Sequence, residues 1–109
     1  MGWTLEMSAE VHKWIMRLSV PERASVYAAI DRLKDQGNTL RLPWSKPLGK
    51  GLMELRFDYG GKAGRITYTI DPDKLIITLT AFRKQRQVER REIARARRAL
   101  AEHRQSRRQ

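Results

Sequence analysis

Four basic residues in the middle and later chain are placed to do chemistry together: Arg56, Arg65, Arg83 and Lys84. An arginine clamps a phosphate through two parallel hydrogen bonds and stabilises the charge that develops in a phosphoryl transition state. A lysine beside it supplies a proton or a second phosphate contact. Such a set suits RNA, which carries its own nucleophile in the 2′-OH. Cleaving it demands positioning and electrostatics more than a protein nucleophile or a metal.

Other chemistries lack their parts. The chain has no cysteine, which excludes thiol catalysis, zinc ribbons and disulfide scaffolds. It has neither a Gly-x-x-x-x-Gly-Lys phosphate loop nor a Gly-x-Gly-x-x-Gly turn. His12 and His103 are far apart and lack metal-ligand spacing, so both read as surface residues. Asp71 and Asp73 flank Pro72 and read as a turn. No group of carboxylates suits a two-metal site. No cofactor and no metal are therefore expected.

The 109 residues make one small domain, with a net charge of +11 that favours an anionic partner. The charge is uneven. Residues 1–82 hold 12 Lys/Arg and 9 Asp/Glu, whereas residues 83–109 hold 11 and 3. A folded domain over 1–104 followed by a basic disordered tail, 105–109, is the expected organisation. The longest apolar run, Leu75 to Phe82, is strand-sized and far short of the roughly 20 residues of a membrane helix. The N-terminus lacks the order of a signal peptide, and Glu6 spoils the myristoylation pattern that Met1-Gly2 begins. A cytoplasmic protein with no membrane partner is expected.

The elements that must position the basic residues follow from hydrophobic period. Trp3 to Met7 alternates as a short strand does, and Ser8 then caps a helix. Val11, Trp14, Ile15 and Leu18 line one helix face. Pro21 opens a second helix that carries Val26, Ile30 and Leu33 and closes at Gly37-Asn38. The tight join predicts an antiparallel helical hairpin over 8–36. Residues 39–51, with two prolines and Trp44, read as a loop or short irregular strand. From Leu52 the period becomes 2. Met53, Leu55, Phe57 and Tyr59 share one strand face; Glu54, Arg56 and Asp58 share the other. Gly60–Gly64 and Asp71-Pro72-Asp73 are turns that separate strands carrying Ile66/Tyr68/Ile70 and Leu75–Phe82. A final helix begins near residue 88 with an Ile93/Ala96/Leu100 stripe.

The order predicts an α+β fold: a small antiparallel sheet with all helices on one face. Arg56 lies on the polar strand face, Arg65 opens the next strand, and Arg83 and Lys84 leave the last. The meander brings these together on a concave, positive surface opposite the helices. Glu54 is expected to pair with Arg56 and hold it. Tyr68, in register with Ile66 and Ile70, belongs to the core.

Leu52-Met53-Glu54-Leu55-Arg56-Phe57, Arg65-Ile66-Thr67-Tyr68, Leu79-Thr80-Ala81-Phe82-Arg83-Lys84 and Arg91-Glu92-Ile93-Ala94-Arg95-Ala96 follow in that order. Together with Pro43-Trp44-Ser45-Lys46-Pro47-Leu48, they resemble the HigB-like, phage-derived branch of the RelE/ParE toxin superfamily. The resemblance implies a RelE-like sheet with an N-terminal helical hairpin and a C-terminal helix packed on it. It also implies the toxin of a type II toxin–antitoxin pair that cleaves mRNA on the ribosome. The implied partner is a cognate antitoxin, a helix-turn-helix HigA-like protein. Carried over residue by residue, the catalytic pair is Arg65 and Lys84, and Arg56 matches the Glu-Leu-Arg arginine. Arg56, Arg83, Arg86 and Lys46 are then RNA-binding candidates.

The sequence departs from relatives in three places. Thr80 stands where they often carry histidine, Arg83 where an apolar residue is usual, and Gln87-Val88-Glu89-Arg90 lacks a Thr-Pro pair. A ParE-like gyrase poison without nuclease chemistry and a basic nucleic-acid-binding accessory protein are the alternative readings.

Overall fold

The computed structural model describes residues 2–87 and 89–107. Strand β1 (Thr4–Glu6) leads into helix α1 (Ala9–Met16), capped by the Ser8 hydroxyl accepting from Val11 N–H. Helix α2 (Val20–Gln36) starts at Ser19 with a reciprocal capping box to Glu22 and with Pro21 in its first turn. Gly37 ends it at φ 53°, and the Trp3 indole lies where a Cβ there would stand. Strands β2 (Ser45–Gly49), β3 (Leu52–Tyr59), β4 (Lys62–Asp71) and β5 (Leu75–Arg83) form an antiparallel meander. Helix α3 (Glu89–Arg107) closes the described chain.

The sheet order is β1-β5-β4-β3-β2. β1 pairs parallel with β5, so the sheet is mixed at one edge. Parallel pairing requires a long crossover, which α1, α2 and the three other strands supply. β2 is the irregular strand expected within 39–51. Pro47 and a register shift before Gly49 are tolerated because β2 is an edge.

The helical pair packs on one face, α1 over β5 and α2 over β3. Val11, Ile15, Val26, Ile30 and Leu33 meet Leu55, Tyr59, Ile66, Tyr68 and Ile76 there. Gly64 permits this packing: a Cβ on it would lie 2.3 Å from the Phe57 ring. Tyr68 is fully buried, as expected, with its hydroxyl 2.6 Å from Ser45 Oγ.

The expectation that all helices share one face is corrected. α3 packs on the opposite face, its Ala96 and Leu100 burying Leu52, Ile77 and Leu79. β5 is apolar on both sides, and its second side needs a cover. Arg97 donates to the carbonyls of Leu48 and Gly49, and Arg104 to that of Lys50, tying α3 to the β2–β3 turn. His103 Nε2 lies 2.8 Å from Asp71 Oδ2, so Asp71 anchors α3 as well as shaping its turn. The helix runs on through Arg107, whose Nε is 3.5 Å from Asp71. The disordered tail expected from 105 is therefore helical over residues 105–107; residues 108 and 109 lie outside the described residues. No described helix is long and apolar enough to cross a membrane.

Candidate functional site

Strand register builds the site on the α3 face. Residues directly opposite in a ladder share a face. Lys46 stands opposite Glu54, and Glu54 opposite Thr67. In the next row Arg56 stands opposite Arg65, and Arg65 opposite Phe82. In the row after that Asp58 stands opposite Ala63, whose carbonyl accepts from Lys84 N–H at 2.8 Å. Lys46, Arg56, Arg65 and Lys84 therefore share one face. Arg65 and Lys84 are diagonal neighbours on adjacent strands, within reach of one another's long side chains. α3 packs on the part of this face around Leu52, Ile77 and Leu79, and its first residue, Glu89, lies toward the Glu54 and Arg65 rows.

One carboxylate sits among these cations. Glu54 is 1% exposed and Arg65 5%. Glu54 Oε1 is 3.7 Å from Arg65 Nε and 3.9 Å from Arg56 Nε. Among the described residues Glu54 Oε2 and Arg65 Nε have no hydrogen-bond partner, and one Arg65 terminal nitrogen donates to the Gly64 carbonyl at 2.8 Å. A buried polar atom left without a partner is costly. Burial pushes the Glu54 carboxyl above its ordinary range, against the pull of Arg65. Burial and then the facing Arg56 lower Arg65 from the usual guanidinium value. Glu89, at the start of α3, acts electrostatically on both Glu54 and Arg65.

Beyond the end of β2 the edge of β3 is open, and a cleft of about 570 Å³ runs along it. Arg56, Asp58 and Arg65 line it from the sheet, Ser25, Ala28 and Arg32 from α2, and Pro43 and Trp44 from the preceding loop. The arrangement presents guanidinium donors to an anion from the sheet floor, which suits a phosphoryl group developing negative charge. Among the described residues no group of His, Asp or Glu is arranged to hold a metal ion.

A family model for phage-derived Gp49-like proteins (DUF891) matches residues 13–101. The chain belongs to the phage-derived Gp49-like family. Its fold is that of the free Escherichia coli toxin RelE, solved as a double arginine mutant. The two match at TM-score 0.64 and 11% identity, over 94% of this chain and 98% of that one. The toxin–antitoxin complex RelBE2 from Mycobacterium tuberculosis is matched at TM-score 0.49 and 20% identity, over 77% of this chain and 100% of that one. No curated protein sequence matches significantly.

The Gp49-like chain does not bring all the expected residues together. Arg83 stands opposite Gly64, on the face that carries the helical pair, where it acts on Tyr59. The expectation that it joins Arg65 is corrected by strand alternation, which sends Lys84 and Arg83 to opposite sides. Arg86 is exposed in the turn before α3 and belongs to neither face. Thr80 is locked: its hydroxyl is 2.6 Å from that of Thr67, and its N–H donates to Thr67 Oγ1 at 3.1 Å. The locked hydroxyl offers no free acid or base on this face. Arg32 and Trp44 are the cleft residues that sequence reasoning missed. Their only advance signal was an aromatic residue in a proline-rich segment beside Lys46.

Proposed function

We propose that this Gp49-like protein is the toxin of a type II toxin–antitoxin system. In this reading it is HigB-like and inhibits translation as a metal-independent, ribosome-dependent mRNA endonuclease. Its partner is a cognate helix-turn-helix antitoxin of HigA type. The observation that carries the reading is one basic sheet face: Lys46, Arg56 and Arg65 around the buried Glu54, with Lys84 at the end of the same face, two rows beyond Glu54.

The chemistry follows from the placement. Arg65, held by Glu54, hydrogen-bonds the scissile phosphate and stabilises its added negative charge. The RNA 2′-OH attacks phosphorus in line and the bond to the 5′-oxygen breaks. Lys84 gives a proton to that oxygen, and the 2′-OH proton passes to solvent. The products are a 2′,3′-cyclic phosphate and a free 5′-OH. Arg56 and Lys46 hold neighbouring phosphates. Arg83, on the other face, takes no part, and Arg86 meets RNA only beyond the cleft.

The test is induced expression in a bacterial host, followed by mapping of mRNA ends and by cleavage of ribosome-bound mRNA in vitro. The reading expects growth arrest, cleavage of mRNA only when it is bound to ribosomes, and cyclic-phosphate ends. Growth arrest with intact mRNA would turn the reading to a gyrase poison. Normal growth with a folded protein would leave a nucleic-acid-binding accessory role.

A further inference from the structure

Trp44 stands at the mouth of the cleft with 42% of its surface exposed, an unusual state for an indole. The Arg32 guanidinium lies over the ring, 5.0 Å from its centroid. Both residues line the cleft together with Arg56 and Arg65. The backbone fixes the ring's root: the Trp44 carbonyl accepts from Arg56 N–H at 2.8 Å, tying the loop to β3 next to a phosphate-binding arginine. The main chain that carries the indole is therefore tied to the strand that carries Arg56. Arg32 lies over one face of the ring, and both side chains line the cleft.

We infer that Trp44, braced by Arg32, is a stacking platform for a single unpaired RNA base, seated one step from the phosphate that Arg56 holds. A half-exposed aromatic ring beside arginines is the element by which proteins grip single-stranded nucleic acid, since every base offers a π-face while the cations track the backbone. Three arginines in the lining against one carboxylate, Asp58, set the sign of the occupant. An acidic protein segment matches that sign too, but it has no base to lay on the ring. The inference rests on the endonuclease reading for its RNA and adds a residue that sets where the strand sits.

The experiment measures fluorescence anisotropy of a labelled, single-stranded 2′-O-methyl RNA hexamer, which cannot be cut by 2′-OH attack, with the full-length protein. Trp44→Ala is expected to weaken binding roughly 10-fold, the usual loss for one stacked base. Trp44→Phe should restore most of it. The slope of log K against log salt should stay the same in Trp44→Ala and become shallower by about 0.7 in Arg56→Ala. Replacing one base of the hexamer by an abasic unit should weaken wild-type binding and leave Trp44→Ala unaffected. Tyr27→Ala, an exposed aromatic outside the cleft lining, is the control and should bind as wild type does. Circular dichroism checks that each variant is folded.

Equal affinity of Trp44→Ala and wild type, or no binding by wild type at low salt, would overturn the inference. So would a Trp44→Ala defect confined to antitoxin binding, which would make the ring a protein contact. The outcomes separate the two readings. Trp44-dependent binding without any mRNA cleavage sinks the nuclease and keeps the platform. Cleavage with Trp44-independent binding does the reverse.

Discussion

Arg65 Nε lies 3.7 Å from Glu54 Oε1, and the two side chains are almost sealed from solvent. The pair does not close as a hydrogen bond, for among the described residues Arg65 Nε and Glu54 Oε2 both remain without partners. Arg56, directly across from Arg65, would oppose it if Glu54 were absent. The carboxylate is thus what allows two arginines to face each other on adjacent strands.

Removing Glu54 should therefore damage the fold as well as the site. Glu54→Ala leaves a buried, uncompensated guanidinium, which typically costs about 3–5 kcal/mol. The double change Glu54→Leu with Arg65→Met removes both charges and should recover most of that loss. Urea denaturation of the three proteins checks it. Equal stability of Glu54→Ala and wild type would show that the pair does not support the sheet.

A second ion pair sets a pH limit. Lys62 Nζ, at the start of β4, donates to Glu22 Oε2 in the first turn of α2 at 2.6 Å, and Ser19 N–H donates to Glu22 Oε1. These hydrogen bonds, Lys62 first, hold the Glu22 carboxyl at about 2 against its usual 4.5. A carboxylate lowered in the folded state stabilises the fold above the unfolded value, and the gain fades as pH falls through the folded value. The stability advantage of wild type over Glu22→Gln should be full at pH 6 and shrink between about pH 4.5 and 2. An advantage unchanged across that range would contradict the pairing.

Much of this arrangement was readable from period alone. The switch from a 3.6 to a 2 repeat at Leu52 gave the helical pair and the meander, and Ser8, Pro21 and Gly37 marked their ends. The face of α3 was harder, because Ile93, Ala96 and Leu100 say that the helix is amphipathic but not where it lies. The clue was Ile77 and Leu79, the second apolar side of β5. Arg83 misled for a related reason: where both sides of a strand are apolar, alternation does not label its end. A register shift in the β4–β5 ladder near Ile66 to Tyr68 further hides the count. Trp44 and Arg32 meet only in three dimensions, bridging α2 and a loop.

Charge should govern neutralisation. With a net charge of +11, the protein is expected to bind an antitoxin through an acidic segment. Co-expression of the adjacent-frame protein should relieve growth arrest. Calorimetric titration between 50 and 500 mM salt should show affinity falling steadily. Salt-independent binding would point instead to an apolar interface.

The central claim is that Arg65 and Lys84 act as a pair on the scissile phosphate. The direct measurement is the rate of cleavage of ribosome-bound mRNA by Arg65→Ala and Lys84→Ala, with Arg98→Ala, exposed on α3, as the charge control. Loss of a transition-state contact of this kind typically costs roughly 10²–10³ in rate. Each site variant should lose that much and fail to arrest growth, and Arg98→Ala should cut as wild type does. Lys84 is exposed, so its variant should melt within about 0.5 kcal/mol of wild type, which separates chemistry from folding. Cleavage at the wild-type rate by both site variants would contradict the account.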